Sequence, residues 1–246
     1  VLEWTGAIML IAGFCFCIKE MIVVNVNKFR SYCSKKKLTQ VYVHTPLEAN
    51  ACEKSGIDMI VSSENNNFKF LRENAMNTFF TVGLQYGRYL SEYEIIKKSF
   101  QLLEMGADAI YCPQSARFIK AIANEGIPVV GHAGFIPYKL TQYGGFRAYG
   151  KNFEEAKKIL NEINVLQDAG AFATEIEIVP EEIVEIIYKE TDIFLIGMGS
   201  GAICDAQYLF SEDILGYNNS HIPRHAKTYG NLKKKFEEIQ AKSIRK

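Results

Sequence analysis

Residues 92–132 read EYEIIKKSFQLLEMGADAIYCPQSARFIKAIANEGIPVVGH. Over 92–105 the helical period puts Ile95, Ile96, Ser99, Phe100, Leu102 and Leu103 largely on one side. Gly106 follows, then a short apolar run at 109–112. A second polar–apolar stretch ends at Glu125-Gly126, just before another run at 128–132. Glycine after the last helical residue closes a helix at its C-terminal side. Helix, glycine and strand, twice over, imply strands that pair in parallel through right-handed crossovers.

The same rhythm extends in both directions. Further short β-branched or aromatic runs lie at 41–44, 59–63, 78–82, 174–179 and 193–197, which makes seven strand candidates in all. A second amphipathic helix is predicted over 154–169 and a basic one over 228–246, the latter as a solvated C-terminal helix. Ser55-Gly56 and Ala169-Gly170 repeat the helix-ending signal. An open doubly wound sheet and a closed (βα)8 barrel both satisfy this order. At least seven units without a break in composition favour the (βα)8 TIM-type barrel, as one α/β domain over 21–246. The apolar stretch within 1–20 is too short to span a bilayer, for which roughly 20 residues are needed, and is expected to lie outside the fold.

Composition removes several function classes. The 246 residues carry 28 Lys+Arg against 28 Asp+Glu, so there is no electrostatic footprint for nucleic acid. With 48% hydrophobic and 23% charged residues the chain has enough apolar surface to fold. Six cysteines, at 15, 17, 33, 52, 112 and 204, show no Cys-x-x-Cys pair. They suit neither a disulfide framework nor a zinc site, and fit a reduced cytoplasmic protein without a membrane anchor.

In a barrel the active site lies at the C-terminal ends of the strands. That rule singles out Glu64-Asn65, Gly83, Tyr111 to Gln114, His132, Glu175 or Glu177, and Gly197 to Gly201 with Gly199 at its centre. His132 alone reads equally as a core histidine, and the glycine segment equally as a tight turn or an anion loop. Glu175 and Glu177 share one strand face because side chains alternate. A carboxylate inside a barrel is costly unless paired or functional. Glu177, nearer the strand end, is expected to act as general acid or base. Glu175 lies one layer deeper and is expected to be structural.

Six motifs, GIPVVGHAGFIP (126–137), QYGGFRAYG (142–150), AGAFA (169–173), EIVP (177–180), IGMGSG (196–201) and CDAQ (204–207), closely resemble ketopantoate hydroxymethyltransferases. These are 3-methyl-2-oxobutanoate hydroxymethyltransferases of the phosphoenolpyruvate/isocitrate-lyase-type barrel superfamily. The resemblance implies a (βα)8 barrel in a homo-oligomer, often a decamer, and an enzyme of pantothenate biosynthesis. It also implies hydroxymethyl transfer from 5,10-methylenetetrahydrofolate to a 2-oxo acid, 3-methyl-2-oxobutanoate, through an enolate stabilised by Mg2+. The family's base falls on Glu177 and its substrate-side histidine on His132.

The first half departs from that pattern. Where the family has an aspartate ligand and a serine, this sequence has Glu64 and Asn65, so Glu64 is expected to hold a cation and Asn65 to bind the keto acid. The second metal aspartate aligns with Gly83 or Val82, and the family's lysine and glutamate align with Tyr111 and Pro113. Magnesium is therefore expected to bind weakly or not at all. Arg88, Lys69 or the Tyr111 hydroxyl are the candidate replacements. Two other readings follow from this loss: a diverged paralogue acting on another 2-oxo acid with little metal dependence, and a non-catalytic barrel subunit.

Overall fold

Parallel strands close into a barrel in the order β1 to β8 in the computed structural model, which describes residues 26, 36–65 and 67–244. The strands are β1 (Leu38–Tyr42), β2 (Met59–Ser63), β3 (Phe79–Gly83), β4 (Ala109–Tyr111), β5 (Val129–Gly134), β6 (Ala173–Glu177), β7 (Phe194–Met198) and β8 (Ala206–Phe210). Helices α1 (Pro46–Ser55), α2 (Phe68–Glu73), α3 (Glu92–Glu104), α4 (Ala116–Asn124), α5 (Phe153–Asp168) and α6 (Glu181–Glu190) follow the first six strands in turn. Helices α7 (Ser211–Leu215) and α8 (Leu232–Ile244) follow β8. The expected segment 1–20 and Cys15, Cys17 and Cys33 fall outside the described residues. Among the described residues no helix is long and apolar enough to cross a membrane.

Local chemistry starts the helices where the sequence changes period. Thr45 caps α1 and Ser91 caps α3, each accepting from the backbone N–H of a glutamate three residues on, Glu48 and Glu94, whose carboxylates return to the cap. The Glu155 carboxylate, gripped by the Arg147 guanidinium and the amides of Gly150 and Lys151, is held down at about 2 and fixes the start of α5. Cys52, Cys112 and Cys204 are unpaired and buried, and burial pushes their thiols up to about 11, 12 and 12.

Two apolar layers result from the two strand faces. Outward residues such as Phe80, Ile110, Ile176 and Leu195 pack with helix residues such as Ile95, Leu102, Ile119 and Ile163. Inward residues at the strand starts, including Leu38, Met59, Phe79, Phe194 and Ala206, fill the lumen. Farther along the same inward faces the chemistry turns polar, with Gln40, Tyr111, His132, Glu175, Glu177 and Tyr208. That change places the polar cluster at the C-terminal face.

One connection breaks the alternation. Between β7 and β8 the chain passes through residues 199–205 with no helix, so a seven-residue return replaces the usual crossover. Ser200 donates its hydroxyl to the Ile176 carbonyl and accepts the Val179 amide, while Asp205 accepts from the Leu195 amide and the Tyr188 hydroxyl. The missing helix is why β8 escaped the reading of the sequence: no helical spacer separates it from β7.

Candidate active site

A cavity of about 500 Å³ opens at the C-terminal ends of the strands and collects Asn65, Tyr111, His132, Glu175 and Glu177 from the sequence-predicted set. Register brings the last three together. β5 and β6 pair His132 with Glu175 and Gly134 with Glu177, so the imidazole stands between two carboxylates on the inward face. Glu177 Oε2 lies 3.3 Å from His132 Nε2, and Glu175 Oε2 lies 3.7 Å from Nδ1. Gly134 allows this close approach. At its φ of +82° a Cβ would stand 2.6 Å from the Glu177 carbonyl oxygen.

Proton positions follow from the partners. Nε2 of His132 faces the Phe135 carbonyl at 3.0 Å as well as Glu177, two groups that accept, so Nε2 carries a proton. Nδ1 lies 2.6 Å from the Tyr111 hydroxyl. Burial would lower the His132 pKa, but the Glu177 hydrogen bond and the charges of both glutamates outweigh it and raise the value. Glu175 is pushed up to about 7, chiefly by burial and further by Glu177, against the pull of His132 and Gln40. Burial, then Glu175 and Glu177, hold the Tyr111 phenol well above its ordinary range, so it stays protonated.

Backbone strain marks the same place. Ile178, directly after Glu177, has φ +49°, a left-handed conformation rare for a β-branched residue. Hydrogen bonds from its amide to the Met198 carbonyl and from the Tyr149 amide to its own carbonyl lock it there. Such strain costs about 1–3 kcal/mol and persists only where the surroundings over-determine it.

Two predicted residues stand apart. Glu64, expected to hold a cation, is not among the residues that line the cavity. Its carboxylate accepts the Gln85 amide at 2.8 Å and the Tyr89 hydroxyl, and pairs with Lys98 at 3.6 Å, so it ties the loop after β3 instead. Gly199 also lies off the lining. At φ +63° its bare Cα makes room for His225, whose Nδ1 would be 2.6 Å from a Cβ there, and it is His225 that faces the cavity. The rest of the glycine segment behaves as a tight turn: Gly201 packs on Glu181, and the Ala202 amide donates to Glu181 Oε1. Of the proposed cations, Arg88 donates to the Asn65 side chain at 3.0 Å, and neither it nor Lys69 lines the cavity.

The residues present do not fit magnesium. Mg2+ requires a near-octahedral shell of oxygens, with one or two carboxylates. At the ends of β2 and β3 the cavity offers Ser63, Asn65, Gly83 and Gln85, and its carboxylates on β6 are both engaged with His132. Among the described residues no group of three or more His, Cys, Asp or Glu side chains is arranged to hold a metal ion.

Sequence reading missed the β1 and β8 contribution: Tyr42, His44, Tyr208 and Phe210 also line the cavity. Inward parity along β1 would have found Tyr42, which shares a face with Gln40. His44 pairs with Glu212 at 2.6 Å, a contact across the whole chain that no local pattern announces.

The profile of the ketopantoate hydroxymethyltransferase family matches residues 65–244. The chain belongs to that family. It is thereby a hydroxymethyltransferase enzyme. A 3-methyl-2-oxobutanoate hydroxymethyltransferase of Kosmotoga olearia is 31% identical over 235 residues, covering 86% of this chain and 88% of the relative. One from Clostridium botulinum is 37% identical over 175 residues, 69% of this chain and 64% of its own. Among solved structures, 2,3-dimethylmalate lyase, a PEP mutase/isocitrate lyase superfamily member, superposes with TM-score 0.55 at 13% identity over 76% of this chain and 80% of its own. Oxaloacetate acetylhydrolase gives 0.57 at 10% identity over 91% and 87%. These likenesses are to the barrel itself.

Proposed function

We propose that this family member makes ketopantoate by hydroxymethyl transfer to 3-methyl-2-oxobutanoate, with 5,10-methylenetetrahydrofolate as the one-carbon donor. Family membership and the names of the relatives support the reaction, and the position of Glu177 carries the mechanism. Its carboxylate stands at the open end of β6, one inward position above Glu175, against a histidine that holds a proton toward it.

The Glu177 carboxylate accepts the proton on the carbon next to the keto group, and the C–H electron pair moves into the enolate. That carbon then bonds to the donor's methylene carbon. Both bonds from the methylene carbon to the folate nitrogens break, one replaced by the new carbon–carbon bond and one by the hydroxyl that water supplies; the proton held by Glu177 and the second proton of that water go to the two nitrogens, and tetrahydrofolate leaves. Glu175 does not share the work of the base, because at about 7 it is largely protonated below neutrality and lies deeper in the lumen.

The test is exchange of the 3-methyl-2-oxobutanoate C3 hydrogen for deuterium in D2O, followed by NMR, and ketopantoate formation on adding the folate. Time-dependent exchange with product formation is expected. Absence of both in the folded protein would overturn this reading.

A further inference from the structure

We infer that the Tyr111 hydroxyl, oriented by His132, is the hydrogen-bond donor that holds the substrate's developing enolate oxygen, doing by an O–H what a Lewis-acidic cation would otherwise do. The inference rests on the enolisation reading and names the electrophile of the same site.

An enolising 2-oxo acid brings a carboxylate and develops a second negative oxygen, and that charge must meet donors. Among the described residues no lysine or arginine lines the cavity. Arg88 is turned to Asn65 and Lys98 to Glu64. Tyr111 occupies the inward-facing end of β4, in register with Gly83 on one side and Val130 on the other. Its ring rests on the bare Cα of Gly83, where an added Cβ would press on Cδ1 at 3.3 Å, and its hydroxyl reaches His132 at 2.6 Å.

The imidazole decides where the phenolic proton points. Because Nε2 is always a donor here, neutral His132 has a bare Nδ1, and Tyr111 must spend its O–H on it. Protonated His132 donates from Nδ1 to the tyrosine oxygen instead, which frees the phenolic O–H for a second acceptor in the cavity. The raised His132 pKa favours that second arrangement. No bond to oxygen breaks in this step: the C–H proton passes to Glu177, and Tyr111 donates only a hydrogen bond to the enolate oxygen.

The experiment compares wild type and Tyr111→Phe in the deuterium exchange assay, with EDTA and with added Mg2+, and measures oxalate binding by calorimetry in EDTA. Oxalate is a planar dianion whose oxygens match those of a 2-oxo acid enolate. Wild-type exchange is expected to be unchanged within about twofold by either addition, and Tyr111→Phe to lose about 10²–10³-fold, the usual loss for one oxyanion donor. Oxalate is expected to bind the wild type without metal and at least tenfold more weakly to the variant, at unchanged melting temperature. Exchange abolished by EDTA and restored by Mg2+, or a variant within about threefold of wild type, would overturn the inference while leaving the enolisation reading intact. If the wild type shows no exchange at all, that reading fails, and oxalate decides the donor separately: equal metal-free binding by both proteins, or by neither, sinks it.

Discussion

Tyr111 and Glu177 meet opposite nitrogens of one imidazole, so a single-atom change on either side has a separable consequence. Glu177→Gln keeps shape and loses the proton acceptor, and exchange is expected to fall by about 10²–10⁴-fold with the melting temperature level or higher. Exchange surviving in a folded Glu177→Gln protein would remove the base. Glu64→Gln should behave in the opposite way. Its partners are structural, so a loss of about 1–3 kcal/mol in urea unfolding is expected with exchange within a factor of two or three; a large drop in exchange at unchanged stability would return Glu64 to the site. What was legible at this scale is placement along a strand. Strand alternation separated Glu177 from Glu175 because both lie on one short segment with a fixed period. The surroundings of Glu64 were not legible, because its side chain meets Tyr89 and Lys98 from the next loop and helix, and the Gln85 amide. Sequence offers no period that links them.

At the scale of elements, strands and helices that carry their own punctuation were readable, and β2 was predicted to the residue. β8 was not, because the return through residues 199–205 substitutes close backbone packing for a helix. Gly197 belongs to the same packing, since a Cβ there would stand 2.7 Å from Cys204 Sγ. The β5–β6 pair is the more demanding test. Gly134 combines φ +82° with a Glu177 carbonyl oxygen 2.6 Å from the place of any Cβ, and that oxygen also accepts the Phe135 amide at 2.8 Å. The Val179 side chain crowds the same point at 2.7 Å, and the Glu177 backbone cannot swing away as a side chain could. Gly134→Ala is therefore expected to cost about 2–5 kcal/mol in chemical denaturation, strain and overpacking together. It should also disturb Glu177. A cost below about 1 kcal/mol would show that β5 and β6 are not in this register.

For the molecule as a whole, the barrel's polar end stores proton-linked free energy. Glu175 is enclosed by Gln40, His132, Glu177, Tyr111 and Tyr208, and its carboxyl sits at about 7 against an ordinary 4.5, mainly through burial. A raised folded pKa means that the folded protein binds the proton more tightly than the unfolded chain. The stabilisation is then complete below about 4.5 and is lost as pH rises through about 7. At 1.36 kcal/mol per unit, that span is worth about 3 kcal/mol. His132, also raised, changes stability in the same direction with pH, whereas Glu53, Glu155 and Glu212, all lowered, oppose it. The total slope of wild type therefore reports on many groups, and the difference between wild type and Glu175→Gln isolates one. The variant has no proton to lose, so its stability relative to wild type should climb by a few kcal/mol from pH 5 to pH 8, read from urea midpoints at constant m. A difference that stays flat across that range would mean that Glu175 is ionised throughout, and that burial does not hold its proton.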